Sequence, residues 1–286
     1  MRNTLRKDDD LRKATTFVLL MALLLSCFAM MSFASQPKSS VGVYINNQQF
    51  NGGVTVKDST TFVGIRKFVN SMYPGASVSY NYSTRTLTVK TDKLYLTAKD
   101  GSNYIVANGR YLYTESPIYM RYGVMYAPVV LMAKAFDAKI SWSNYSSSFY
   151  ITRGSGGILS GDKFYRSDEV LWLSRIINAE SGAEPLLGKI AVGNVILNRV
   201  RSSYFPNTIY SVIFDKKNGT QFSPTANGTI YKAPCEQSII AAKICLEGYS
   251  INTGILYFVN ASVVPNSWVV KNRQLYAKIG NHSFYY

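Results

Sequence analysis

Glu180 and Glu184 stand on either side of Ser181-Gly182-Ala183, and they are the residues from which acid–base chemistry is expected. Ile176, Ile177 and Ala179 lead into Glu180 as an apolar helical stretch, Ser181-Gly182 is a stop signal, and Pro185 suits the first turn of a new helix. Glu180 therefore falls at a helix C-terminus, where the negative end of the macrodipole disfavours an ionised carboxylate. Desolvation by apolar neighbours would raise its pKa further, into the range where a carboxyl donates a proton near neutral pH. Glu184 falls at the start of the next helix, where the dipole favours a charged carboxylate with a capping role. It is also the nearest candidate for a second working carboxylate.

Other side chains carry weaker signals. Gln221 and Ser223 offer hydrogen-bonding groups, although turns use the same residues. Tyr257 and Trp268 have rings that stack on flat ligand faces or pack in a core. Asn198 and Arg199 end a helical stretch, where polar residues cap or pair. His282, the only histidine, reads as a structural hydrogen-bonding residue before an acid–base group. Cys235 follows Pro234 at an expected helix N-terminus, which lowers a thiol pKa, and His282 is the available base for such a nucleophile. An ordinary small residue in an amphipathic helix is the plain alternative for Cys235. One His and two Cys in residues 162–286, none closely spaced, do not make a metal site, and no Gly-rich phosphate loop stands at a strand-to-helix junction.

The elements that must position these residues are mainly helices. Asp168 and Glu169 fit a first turn capped by Ser167, and Val170, Leu173, Ile176 and Ile177 share one face. A second helix is expected over Pro185–Val200, burying Ala191, Val192, Val195 and Ile196, and a third over about Cys235–Leu246. That third helix would hold the Cys235 and Cys245 sulfurs about 15 Å apart, too far for a disulfide. Residues 41–153 read differently, as two copies of strand, helix and two-stranded hairpin. Thr61–Gly64, a helix near Ile65–Met72, Val78–Tyr80 and Leu87–Lys90 answer to Met125–Pro128, a helix near Val129–Phe136, Ile140–Trp142 and Phe149–Thr152. Glycines at 154, 156, 157 and 161 make residues 154–161 a flexible linker by composition. The fold class is multidomain α+β.

The 286 residues suit about two domains. With 47% apolar and 16% charged residues, global disorder is not expected. Arg2, Arg6, Lys7, Arg12 and Lys13 precede an apolar stretch from Thr15 to Ala34 that ends in Ser32-Phe33-Ala34, so residues 1–34 read as a signal peptide. An uncleaved anchor and a lipoprotein box at Leu24-Leu25-Ser26-Cys27 are the alternatives, and all three place the remainder outside the membrane. Without residues 1–34 the chain keeps 26 basic and 13 acidic residues. An exported chain of that charge points to an anionic envelope polymer or a membrane surface, with solubility alone as the plain reading, and nucleic acid is not an expected partner.

Two resemblances sharpen this reading. The repeat in residues 41–153 resembles the tandem copper amine oxidase N-terminal-like module of many exported Gram-positive proteins, which implies a non-catalytic wall-associating or spacer role. Residues 35–153 contain no His and no Cys, so copper has no ligands of the usual kind. Residues 165–286 resemble the cell wall hydrolase family of spore cortex-lytic enzymes. The resemblance rests on Ser174–Pro185, Gly188–Val200, Phe205-Pro206-Asn207-Thr208, Gln221-Phe222-Ser223, Leu256–Asn260, Trp268 and Ile279–Tyr285, in that order. It implies a compact, lysozyme-like helical domain over 162–286 that cleaves peptidoglycan glycan strands without a cofactor, in an exported, cell wall or spore envelope setting tied to sporulation and germination. In the family the first glutamate of a Glu-x-x-x-Glu pattern is catalytic, which falls on Glu180. Arg-Gly usually lies between the glutamates, where this chain has Ser181-Gly182-Ala183.

A glycosidase ordinarily needs two carboxylates, an acid and a nucleophile or base. A lytic transglycosylase needs one, and the sequence offers Glu180 for that role at the MurNAc–GlcNAc bond, with Gln221, Ser223, Tyr257 and Trp268 toward substrate and Glu184 and His282 in support. A muramidase-type hydrolase, an inactive wall-binding protein, and a thiol peptidase or amidase built on Cys235 and His282 are the other readings.

Overall fold

The computed structural model describes residues 41–217 and 219–286, so the signal peptide expected over residues 1–34 lies outside the described residues. Among these no helix is long and apolar enough to cross a membrane.

The first part is β-rich. It runs β1 (Gly42–Ile45), β2 (Gln48–Gln49), β3 (Val54–Lys57), β4 (Thr60–Gly64), α1 (Ile65–Met72), β5 (Ser77–Asn81), β6 (Thr86–Lys90), β7 (Tyr95–Lys99), β8 (Tyr104–Ala107) and β9 (Arg110–Tyr113). It continues with β10 (Tyr119–Arg121), β11 (Val124–Pro128), α2 (Val129–Ala135), β12 (Lys139–Ser143) and β13 (Ser148–Thr152). Both helices follow a strand directly and lead into a hairpin. The hydrogen-bonded orders are β12-β13-β1-β2, β10-β11-β4-β3 and β5-β6-β7-β8-β9. β4 and β11 meet antiparallel, with Val63 opposite Ala127. Ile65, Phe68 and Val69 of α1 and Val129, Met132 and Ala133 of α2 are buried in one apolar cluster with Leu96, Ile105 and Leu112.

The meander β7–β9 was not expected. Its signals are local: Leu96 and Ala98 alternate inward between outward neighbours, and Asn108-Gly109, both at positive φ, make the hairpin turn to β9. Residues 154–161, a linker by composition, are tied down along this region. The Ile158 N–H donates to the Ala135 carbonyl at 3.0 Å, and the Gly161 N–H to the Asn108 carbonyl at 2.7 Å.

The second part contains α3 (Gly161–Phe164), α4 (Ser167–Ser181), α5 (Leu186–Arg201), α6 (Ile209–Ile213), α7 (Ser223–Asn227), a 3₁₀ turn Thr229–Tyr231 and α8 (Glu236–Leu246). After these come β14 (Tyr257–Val259), α9 (Trp268–Asn272), β15 (Leu275–Ile279) and β16 (His282–Tyr285), whose strands form a sheet ordered β14-β16-β15. Ser167 opens α4 but does not cap it: the cap position is Arg166, whose guanidinium bonds Asp168 instead. α5 departs from the one-sided burial expected of it. Every residue from Gly188 to Arg199 is buried, because α4, α8, β14 and β15 surround it.

The two parts are joined through charge. Arg110 donates from Nε and Nη2 to the two carboxylate oxygens of Glu247 at 2.7 and 2.8 Å, and the Lys134 ammonium lies 3.1 Å away. The Tyr165 hydroxyl donates to the same carboxylate at 2.8 Å, and the Arg110 guanidinium lies 3.4 Å over the Phe164 ring. The Arg110 and Glu247 side chains are only 8% and 3% exposed. Burial opposes ionisation of Glu247, but Arg110, Tyr165 and Lys134 outweigh it, and its pKa is lowered. Residues 41–286 form one compact unit across this junction.

Removing one partner of such a pair strands a buried charge. Arg110→Met is expected to destabilise the chain by about 3 kcal/mol, read as a lower urea midpoint. Because the Glu247 pKa is depressed, the stabilisation is full above the ordinary glutamate pKa of about 4.3 and is lost as pH falls through the folded value. The difference between the two chains should therefore shrink on acidification.

Candidate active site

Glu180 occupies the last turn of α4, half-buried, and among the described residues its carboxyl has no ion pair and no hydrogen-bond partner. Burial without compensation favours the neutral form, and the pKa is pushed up to about 7.

Glu184 has the opposite environment. It is 7% exposed, and it accepts hydrogen bonds from the Asn281 N–H at 3.0 Å and from Asn281 Nδ2 at 2.9 Å. Burial works against its charge, but both Asn281 donors, with His282 and Lys189 nearby, overcome it and lower the pKa. The expected helix-capping role is not what it performs: Pro185 takes the cap position of α5, no side chain caps it, and the carboxylate reaches the β15–β16 turn instead. Gly280 makes room for that reach. Its φ is +60°, and a Cβ there would lie 1.7 Å from Glu184 Oε2.

The segment between the two glutamates is held from inside by Lys189, which the sequence reading missed. This lysine is 2% exposed, and its ammonium donates to the Gly182 carbonyl at 2.9 Å and to the Glu184 carbonyl. It thus satisfies carbonyls where α4 ends. Its signal was a lone cation at the start of an otherwise apolar helix. Asn178, two residues before Glu180, accepts from the Cys235 N–H at 3.0 Å and Ser238 Oγ at 3.2 Å, fixing α4 to the start of α8.

His282 lies beside Glu184, with Nδ1 3.7 Å from Oε1. Its Nδ1 is buried without a hydrogen bond, contrary to the hydrogen-bonding role expected of it, and its ring meets Phe258 edge-on at 5.4 Å. Burial lowers its pKa against the pull of Glu184. Cys235 is exposed, with Ser238 Oγ 3.3 Å from its sulfur. That hydroxyl, ahead of other neighbours, lowers the thiol pKa. The thiol and His282 share no hydrogen bond, so the structure does not assemble them as a nucleophile–base pair.

Tyr257 and Trp268 come together edge to face, their ring centroids 6.2 Å apart and their planes inclined at 67°. Trp268 is 58% exposed, and the Arg273 guanidinium lies 4.7 Å over Tyr257 and 4.9 Å over Trp268. Arg273, also missed, makes these rings an aromatic and cationic shelf. Beneath it Arg199 is buried against Phe205, Phe222 and Tyr257, and burial lowers its pKa to about 10. Gln221 Oε1 lies 3.4 Å from Arg199 Nη1, which joins it to this group. Ser223 opens α7, exposed, on a helix that packs against α4. Phe222 stacks on Phe258 at 6.3 Å, and Phe258 touches His282, so contacts run continuously from the shelf to Glu184. Glu180 is connected to them through the Gly182–Glu184 turn.

Glu184→Ala is expected to cost about 2 kcal/mol at pH 6, since it leaves the Asn281 donors unpaired. Because the folded pKa is depressed, that contribution is present above the ordinary glutamate pKa and lost as pH falls through the lower value. Urea unfolding at pH 6 and pH 3 should show the gap closing, and Gly280→Ala should reproduce the pH 6 loss by displacing the carboxylate.

Residues 183–285 match the family model of cell wall hydrolases, and residues 44–151 that of the copper amine oxidase N-terminal domain. Glu180 lies just before the first match, whereas Glu184, Gln221, Ser223, Tyr257, Trp268 and His282 lie within it. The chain is 35% identical over 120 residues to a spore cortex-lytic enzyme of Bacillus cereus, covering 42% of this chain and 45% of that one. Over 120 residues it is 30% identical to the spore cortex-lytic enzyme of Bacillus subtilis, covering 42% and 38%. It thus spans less than half the length of these curated relatives. A cell wall hydrolase CwlJ of Oceanobacillus iheyensis is 29% identical over 107 residues, which cover 35% of this chain and 74% of that one. Among solved structures, the catalytic domain of the germination-specific lytic transglycosylase SleB from Bacillus anthracis is 34% identical, covering 43% of this chain and 97% of that one, at a TM-score of 0.39. The chain therefore carries a cell wall hydrolase domain in its C-terminal part, preceded by a copper amine oxidase N-terminal-like domain.

Proposed function

We propose that the chain degrades peptidoglycan, acting on the MurNAc–GlcNAc bond of the glycan strand as a lytic transglycosylase. The observation that carries this reading is Glu180, a carboxyl raised to about 7 and left without a partner, beside a glutamate whose carboxylate is already committed to Asn281. Two carboxyls pushed in opposite directions mark acid and anion. The neutral Glu180 carboxyl gives its proton to the glycosidic oxygen as the MurNAc C1–O bond breaks. The resulting carboxylate then takes the proton of the muramic C6 hydroxyl, whose oxygen closes on C1. The products are a free GlcNAc 4-hydroxyl and a 1,6-anhydro end, with Glu180 reprotonated and no water consumed. In this reading Trp268, Tyr257, Gln221 and Ser223 contact the sugars, and Glu184 and His282 hold the turn behind the acid.

The same reading divides the chain into a signal peptide at 1–34, a twice-repeated module at 41–153, a connection at 154–161 and the catalytic part at 162–286. It places the protein outside the membrane, at the cell wall or spore envelope. The spore cortex-lytic names of the relatives support that setting.

Mass spectrometry of fragments released from purified sacculi tests the reaction. Anhydro-muramic ends are the expected product, whereas reducing muramic ends would mean hydrolysis by water. Glu180→Gln should lower the rate by about 10²–10⁴-fold. Because the first step uses the protonated acid, kcat/KM should fall as pH rises through about 7. Full activity in Glu180→Gln, or its loss in Cys235→Ala alone, would refute this assignment.

A further inference from the structure

The β-rich part contains a cleft of about 680 Å³, within the size range of sites that hold small molecules. It opens between residues of β5–β6 and residues of β10–β11, which belong to different sheets. Leu87, Met120, Val124 and Met125 give it an apolar floor. Gly53 keeps one side open: its φ is +87°, and a Cβ would lie 3.2 Å from Tyr126 Oη. On the rim the Tyr82 ring is 86% exposed and stands perpendicular to Tyr80 at 4.9 Å.

Three cations line the cleft beside one acid. Arg85 is paired with that acid, Asp100, which also accepts from the Met120 N–H at 3.1 Å. Arg66 donates to the Val78 carbonyl at 2.8 Å and has no ion pair among the described residues. Lys67 is exposed and has no ion pair among the described residues. An occupant therefore meets an exposed ring, an apolar floor and two cations without an ion pair among the described residues. A pyranose with an acetamido methyl and nearby carboxylates matches all three. A phosphate polymer has charge for the cations but nothing for the ring and floor.

We propose that this cleft is a second binding site for peptidoglycan, seating a muramyl sugar with its carboxylate-bearing peptide stem and leaving it uncut. The proposal rests on the reading of the chain as a peptidoglycan-acting protein. The ring of Tyr82 covers a sugar face, and Lys67 and Arg66 meet the carboxylates. The site is separate from Glu180. In the five-stranded sheet β5 is one edge and β9 the other, and β9 packs on α8. Every residue that lines the cleft lies between Gly52 and Tyr126, in the β-rich part, whereas Glu180 is carried by α4.

The test is zero-length coupling. The full chain carrying Glu180→Gln is mixed with purified disaccharide-tetrapeptide and a water-soluble carbodiimide, which joins an amine to a carboxylate in contact with it, and adducts are mapped by mass spectrometry. Lys67 is expected to be the dominant adduct. Tyr82→Ala should reduce it about tenfold, the equivalent of one lost ring contact. Both side chains are exposed, and an unchanged melting temperature would show that the variant is folded. Adducts spread evenly over surface lysines, or a Lys67 adduct indifferent to Tyr82→Ala, would overturn the proposal. Competition by polyglycerol phosphate but not by chitotetraose would overturn it in favour of an anionic-polymer site. Fragment release by the chain with Glu180 intact is scored separately. Lys67 coupling without release sinks the catalytic reading alone, and release without Lys67 preference sinks this one alone.

Discussion

A carboxylate shut away from water must be given donors, and Glu184 finds its donors 97 residues downstream at Asn281. That bond ties the turn between α4 and α5 to the last hairpin of the chain. Lys189 grips the same turn from below through the Gly182 and Glu184 carbonyls. Glu180, one helical turn earlier, inherits this fixed position without receiving any donor of its own. Satisfying one glutamate completely is what permits the other to stay neutral in a rigid setting. The different acidities of the two side chains follow from a single difference in partners.

Helices in both parts were legible because they depend on local periodicity and end signals. Ile65–Met72 was expected in place, and α5 and α8 begin within one residue of where Pro185 and Cys235 set their starts. Pro185 and Gly182 punctuate the site much as their types require. The function of Glu184 was not legible, because a residue at a helix start looks like a cap until its distant partner is known. Arg273 was invisible for the same reason, and Lys189, although a lone cation in an apolar stretch, gave no sign of which carbonyls it would meet. Their roles come from carbonyls and rings that only the folded chain brings to them, and buried and surface cations look identical in a sequence. The C-terminal sheet was hidden by the shortness of its strands, three to five residues each. The β7–β9 meander was readable from Leu96, Ala98 and Asn108-Gly109, but a search for repeats passes over strands that occur once.

Behind the aromatic shelf is a polar seam in an otherwise apolar helix. Asn194 donates to the Tyr249 carbonyl and accepts from the Ile251 N–H, while Asn198 donates to the Asn252 and Ile255 carbonyls. Arg199 continues the seam at the Leu256 carbonyl. Residues four apart share a helix face, so this row pins the irregular segment that leads into β14. Tyr257 therefore follows a segment whose carbonyls at Tyr249, Asn252, Ile255 and Leu256 are held by side chains of α5. Polar residues inside α5 do structural work that lets one exposed shelf stay in place.

The contact between Arg110 and Glu247 has an evolutionary reading. An interchangeable bead would carry its own finished surface. Here the bead is not finished. Glu247 belongs to the helical part, but Arg110 and Lys134, which neutralise it, arrive from the β-rich part, and Tyr113 covers Tyr249 from the same side. A recombination event that moved the helical part behind a foreign neighbour would carry along a carboxylate shaped for a lost counterion. The two pieces are expected to have drifted together, so that a graft would need its seam rewritten before it could travel.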